Sequence, residues 1–251
     1  MEGGGLNIKI SLADMKISAE INYESTLEFC RDYLAEFDAP DVRVSVLFDD
    51  ILAEREKYRC DCKKNGLDER KLSPNYFETL ALYRKICDAL IPHGVILFHG
   101  SALAIDGECF IFTAKSGVGK STHARLYREL FGERVEMVND DKPLIRLDGN
   151  EAYAYGTPWN GKHRLSSNIR RPISAICLIS RAEENSICEV SKKDAIAEVF
   201  SQTHRPRDGE LLEKTVALVD SLCDKVRLYR LECNTEPDAA RISYEAMRRE
   251  K

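Results

Sequence analysis

Apolar and polar residues alternate in "LNIKISL" (6–12) and "MKISAEI" (15–21), the period of half-buried strands. "STLEFCRDYLAEF" (25–37) changes to helical spacing, with Ser25 as the predicted N-cap, and "DVRVSVLF" (41–48) alternates again. From 53 to 73 the chain is highly charged and carries an Asn65-Gly66 turn signal, so it is expected to be a solvated connection between domains. "SPNYFETLALYRKICDALIP" (73–92) predicts a helix opened by Ser73-Pro74 and closed before Pro92.

Beyond that helix the pattern becomes more apolar. "VILFHGSALAI" (95–105), an Asp106-Gly107 turn and "ECFIFTA" (108–114) predict a hairpin. Its second strand runs into a glycine loop, and "STHARLYRELFG" (121–132) predicts a helix ending at Gly132. "RVEMVNDD" (134–141) is a predicted strand that stops at two carboxylates. A second hairpin is expected across Asp148-Gly149, then a buried strand "SAICLIS" (174–180). Helices at 192–200 and 210–222, a strand "VRLYRLEC" (226–233) and a helix from about Pro237 complete the reading. Strands and helices mixed around a strand–loop–helix unit predict an α/β layered fold: a smaller accessory α/β region at 1–73 and a main domain at 74–251.

The chain has 251 residues, 43% of them hydrophobic, enough for one sizeable core with a small appended region. A formal net charge of -5 gives no basic surface for nucleic acid. No stretch is apolar enough to span a bilayer, and "MEGGGLNIKISLADMKI" lacks the pattern of a signal peptide, so a cytoplasmic protein is expected. Nine scattered cysteines, with only Cys60 and Cys62 close together, fit reduced thiols better than a zinc site.

The chemistry concentrates in "AKSGVGKST" (114–122), the Walker A pattern with Ala114 in place of its first glycine. Gly117 and Gly119 can take conformations closed to other residues, so that consecutive N–H groups around Ser116, Val118 and Thr122 cradle phosphates. The helix N-terminus adds its positive dipole end. Lys120 can reach the outer phosphates, and the Ser121 hydroxyl can ligate Mg²⁺. Such a loop reads phosphates rather than bases, so GTP fits it as well as ATP. Asp140 and Asp141 follow Lys120 by twenty residues at a strand end, in the Walker B manner. One carboxylate can serve the metal while the other accepts a proton from an attacking hydroxyl.

The order "LFHGSALAIDGECFIFTAKSGVGKST…VNDD" resembles the catalytic domain of HPr serine kinase/phosphorylases, whose architecture is shared with phosphoenolpyruvate carboxykinases. The resemblance implies a P-loop nucleotide-binding core with a mixed sheet. It also implies His99 near the transferred phosphoryl group, Lys120 and Ser121 on phosphate and metal, and Asp140 as proton acceptor, which leaves Asp141 on the metal side. Thr122 stands where that family usually has Glu, and "SNIRRP" (167–172) is the nearest piece to its later Glu-Ile-Arg-Gly segment. The expected activity is therefore ATP-dependent phosphorylation of a hydroxyl acceptor other than HPr, on a peptide, a protein or a small molecule. A nucleotide-binding regulatory protein and a carboxykinase-type enzyme are the alternatives, and a homo-oligomer stays open.

The segment "YGTPWNGKHR" (155–164) has two readings. Lys162 can touch phosphate or acceptor while Trp159 walls a pocket, or Pro158 simply shapes an exposed turn. Arg125 with Arg128, and Arg170 with Arg171, are expected to face solvent. His204, Arg205 and Arg207, between the two later helices, carry no assigned role.

Overall fold

The computed structural model describes residues 5–115 and 117–249. It separates into two compact units, one ending at Leu90 and one beginning at Ile91.

In the first unit β1 (Leu6–Leu12) and β2 (Met15–Ile21) pair antiparallel, and β3 (Val42–Ser45) adds to β2 in parallel. Alternate residues Ile8, Ile10, Leu12, Ile17, Ala19 and Ile21 are buried, as the period-2 pattern requires. Three helices complete the unit: α1 (Glu24–Phe29) between β2 and β3, then α2 (Phe48–Lys64) and α3 (Pro74–Leu90) after β3. The helix α1 is shorter than its spacing predicts, and Ser25 does not cap it; the N-cap is Tyr23, without a side-chain bond. The carboxylate of Glu78, on α3, instead takes the N–H groups of Asn22 and Tyr23 at 2.6 and 3.2 Å. The charged stretch expected to be a connection is mostly the helix α2. Few of its residues, Ile51, Glu54 and Cys62 among them, are buried. A helix with so narrow a buried stripe has no strong apolar period to read. Asn65-Gly66 does break the chain there, with Gly66 at φ 63°. The helix α3, which the sequence reading assigned to the main domain, groups with this first unit.

In the second unit β4 (Val95–Leu97), β5 (Ser101–Ile105), β6 (Glu108–Thr113), β7 (Val135–Asn139), β8 (Leu144–Asp148), β9 (Glu151–Tyr155), β10 (Arg170–Arg181), β11 (Ser186–Glu189) and β12 (Arg227–Cys233) form one mixed sheet. The run at 95–105 is two strands, because the chain breaks at Phe98–Gly100. The strand β4 pairs with β8, whereas β5 pairs with β6 and β7. The strand β10 is longer than predicted. Its first residues, Arg170–Pro172, pair with β9, and the rest pairs with β6 and β12.

Both faces of the central strands are buried, which is why they read as continuous apolar runs. Phe110 and Phe112 of β6 pack with α4 (Lys120–Phe131) and α7 (Pro237–Met247). Cys109 and Ile111 turn the other way, toward α5 (Lys192–Ser201) and α6 (Gly209–Lys225). The helices α5 and α6 start at side-chain caps, Ser191 and Asp208. No helix among the described residues is long and apolar enough to cross a membrane.

Strand direction positions everything that follows. The strands β6, β10 and β12 are mutually parallel. Since β7 and β6 are both antiparallel to β5, they share that direction too. One edge of the sheet thus collects the carboxyl ends of β6, β7, β10 and β12, together with the amino end of β5. In α/β sheets this is the edge where ligands bind.

Candidate functional site

At the end of β6 the chain turns through Ala114–Gly119 into α4. Gly117 has φ 81° and Gly119, the N-cap of α4, has φ 135°. A side chain at either position would meet open space, so backbone conformation and not crowding calls for glycine. Ser116 lies outside the described residues. Lys120 bends back across the loop and donates to the Ala114 carbonyl at 3.0 Å. Burial pushes its amine below the ordinary lysine value, while the charges of Asp141 and Asp140 push it back up. Lys120 therefore shares one electrostatic neighbourhood with both carboxylates. Ser121 is exposed, and Thr122 is half-buried in the first turn.

The two carboxylates have different surroundings. Asp140 is 5% exposed and accepts a hydrogen bond from the Ser101 hydroxyl. Asp141 is more open. His99 Nε2 lies 3.3 Å from its Oδ1 and Lys142 Nζ lies 3.2 Å from its Oδ2. Partial burial raises the Asp141 pKa, but the His99 hydrogen bond and the Lys142 charge outweigh it, and the carboxyl sits below its ordinary value. Asn139 shapes the turn: its Oδ1 accepts from the N–H groups of Asp141 and Lys142 at 2.8 and 2.6 Å.

His99 is held at the β4–β5 break. Its N–H donates to the Gln202 carbonyl at 2.7 Å, and its own carbonyl accepts from Thr113 Oγ1 at 2.9 Å. The His204 N–H donates to the Leu97 carbonyl at 3.1 Å, so the 202–204 segment runs beside His99. Of the three residues left without a role, His204 is half-buried there, and Arg205 and Arg207 are exposed.

The 156–167 segment wraps the acidic strand end. Asn139 Nδ2 donates to the Thr157 carbonyl at 3.0 Å, and Thr157 Oγ1 donates to the Lys142 carbonyl at 2.8 Å. The Asp140 N–H donates to the Leu165 carbonyl at 2.9 Å. Gly156 is required by close approach, since a Cβ there would lie 1.9 Å from the Ser167 carbonyl oxygen. Of the two readings of this segment, the exposed turn fails for its first half. Trp159 is 6% exposed, and Gly156, Thr157 and Pro158 are buried with it. Exposure resumes at 161–164, where Lys162 sits on a turn. Gly161 packs against Asp141, with a Cβ position 3.1 Å from the Asp141 Cβ.

Four residues that sequence reasoning missed belong to this constellation: Ser101, Asn139, Lys142 and Arg181. At the end of β10, Arg181 donates from Nε to the Val118 carbonyl at 3.0 Å and from Nη2 to the Gly117 carbonyl at 2.5 Å. Of the arginines expected to face solvent, Arg128 does not: it is half-buried and its Nε is buried without a hydrogen-bond partner, whereas the other three have ordinary ones. Arg171 binds Glu136 bidentately at 2.7 Å, Arg170 stacks on Tyr153, and Arg125 pairs with Glu129. No cluster of three His, Cys, Asp or Glu arranged for a metal occurs among the described residues. A hard cation shared with phosphate oxygens needs no such cluster, and a hydroxyl with one carboxylate, as in Ser121 with Asp141, is a suitable donor set.

No family model matches the chain, and no curated protein matches it in sequence. Among solved structures it is similar to the Hpr(Ser) kinase/phosphatase from Coxiella burnetii, at 11% identity and a TM-score of 0.36, over 60% of this chain and 97% of that one.

Proposed function

We propose that this chain is a cytoplasmic kinase that transfers the γ-phosphoryl group of ATP to a hydroxyl acceptor on a peptide, a protein or a small molecule. The observation that carries the proposal is the placement of the glycine loop, with Gly117 at φ 81° and Gly119 at φ 135°, at the carboxyl end of β6 on the same sheet edge as the Asp140–Asp141 end of β7. A glycine loop, a helix N-terminus and a lysine form a cradle for phosphate, and the acidic pair stands beside it.

The roles follow from the surroundings. The N–H groups of 117–122 and the Lys120 amine hold the phosphates, with Ser116 part of the same loop in sequence. Lys120 exchanges the Ala114 carbonyl for phosphate oxygens. Ser121 and Asp141 hold Mg²⁺, which when bound neutralises charge on the phosphates. Asp140 accepts the proton of the attacking hydroxyl, and Ser101 fixes its orientation. His99 orients Asp141 and faces the transferred group. Lys162, on the exposed turn against Asp141, neutralises charge as the group moves. Because Gly156 to Trp159 is buried, any closure of this loop is confined to 161–164.

A second assignment has an observation behind it. Asp140 is the more buried acid and Asp141 the more open one, which favours exchanging their metal and proton roles. Incubating the protein with labelled Mg-ATP and hydroxyl acceptors tests both assignments. Label on an acceptor, lost in Asp140→Asn and kept in Asp141→Asn at high Mg²⁺, supports the first; the reverse supports the exchange. Binding without transfer identifies a regulatory nucleotide-binding protein, and metal-dependent decarboxylation of a keto acid identifies a carboxykinase-type enzyme.

A further inference from the structure

The sheet of the first unit has one covered edge and one open edge. Beside β1, the Ala35 N–H donates to the Lys9 carbonyl at 3.0 Å and Leu34 bridges Ile10, so the 34–35 segment closes that side. The strand β3 ends the sheet on the other side, with β2 as its one neighbour in the sheet. The two strands pair in parallel, and the Val46 N–H donates to the Glu20 carbonyl at 2.9 Å. In such a ladder alternate residues point their peptide groups to opposite sides. Val44 and Val46 therefore face β2, and the N–H and carbonyl groups of Arg43 and Ser45 point outward. Among the described residues nothing pairs with these four groups. An unpaired edge of this kind is a template for another strand.

The side chains at the edge indicate which strand. Arg43 is exposed and has no carboxylate within ion-pair distance among the described residues. Glu20 stands opposite Ser45 on β2, and its carboxylate accepts from the neutral Ser45 hydroxyl at 3.0 Å. A second β3, laid antiparallel against the first, engages all four outward groups in one register. Arg43 then stands opposite Ser45 of the second copy, and the half-buried Val44 meets its own counterpart on the two-fold axis. A register that set Arg43 against Arg43 would place like charges directly opposite. In the favoured register, the row on the polar face runs from Arg43 to Ser45 and then Glu20 of the second copy. Strand spacing puts Arg43 and that glutamate about 10 Å apart at Cα, within the joint reach of the two side chains. Symmetry makes the link twice. Leu47, Phe48 and Leu52, which are 60%, 60% and 54% exposed, follow the strand and offer apolar surface beside the seam.

We infer that β3 is the interface for a second copy of this chain. The two three-stranded sheets join edge to edge in the order β1-β2-β3-β3-β2-β1, with Arg43 of each copy paired to Glu20 of the other. The inference stands apart from the reading of the glycine loop, because every residue it uses lies in the first unit.

The test is sedimentation velocity on the full chain over a range of concentrations, repeated on Arg43→Glu, on Glu20→Arg and on the two combined. Four hydrogen bonds and two ion pairs make a small interface, so the wild type is expected to dimerise with a Kd on the order of 10 µM. Each single substitution sets like charges across the seam twice and should weaken the dimer about tenfold or more. The combined variant restores opposite charges and should return to within about threefold of the wild type. Amide hydrogen exchange at 43–45 should slow as the wild type dimerises. Should charge reversal unfold the strand, Arg43→Ala gives the same reading with a smaller loss. A wild type that stays monomeric at about 200 µM would overturn the inference. So would a dimer that the single variants keep, a loss that the combined variant does not recover, or exchange at 43–45 that is independent of concentration.

Discussion

Glu78 in the first unit and the Asp140–Asp141 pair in the second are both enclosed carboxylates, and their neighbours differ in kind. Glu78 is fully buried and accepts from the Asn22 N–H and side-chain amide, the Tyr23 N–H and the Thr26 hydroxyl. Those donors are backbone N–H groups and neutral side chains of one turn, and they tie the β2–α1 turn to α3. Together with burial, its charge pushes the Cys30 thiol up to about 12. The aspartates touch a histidine, a lysine and a serine at a strand end, and their charges raise the pKa of Lys120 on the glycine loop. Burial of an acid thus says little about function. Donors without titratable protons suit a structural staple, whereas a mixture of acids, bases and cations at the carboxyl edge of a sheet is the setting proposed for the reaction.

The comparison breaks if Glu78 proves catalytic or the aspartates merely structural. Glu78→Ala strips the charge from several buried donors and is expected to cost the first unit about 3 kcal/mol or more, read by denaturant unfolding. Mg-ATP binding should be unchanged where the variant is folded, and lost binding would contradict the division. Asp140→Asn is expected to leave nucleotide binding in place and to lower transfer by about 10²-fold, equivalent to about 2.7 kcal/mol in the barrier. An unfolded Asp140→Asn would class that residue with Glu78. Ser101→Ala sharpens the contrast with the smallest effect. A fall in kcat of about tenfold with unchanged KM for ATP is expected, rescued by Ser101→Thr, which keeps the hydroxyl. Loss of stability without that kinetic pattern would make the Ser101 hydroxyl a core contact only.

Local patterns were legible in the chain where the physics is local. A strand, two glycines that need positive φ and a helix occupy adjacent residues, and the structure has that unit. The Asp-Asp strand end was equally visible, but the Asn139 side chain that forms its turn was overlooked. Partners distant in sequence were not legible. Ser101 meets Asp140 across 39 residues, Arg181 meets Gly117 across 64, and Glu78 meets Asn22 across 56. Composition misled at α2, whose charged surface hides a narrow buried stripe, and at Trp159, whose glycine-rich neighbours suggested exposure. In the second case the close approach of Gly156 to Ser167 draws the segment inward.

The central claim is that the glycine loop with Lys120 binds the phosphates of a nucleotide. Calorimetric titration of Mg-ATP into the wild type and Lys120→Ala tests it most directly. The mutation removes a charge-assisted contact and is expected to weaken binding by about 1.5–3 kcal/mol, roughly ten- to more than a hundredfold, in a protein with the wild-type melting profile. Equal affinity in the two proteins, both folded, would contradict the account.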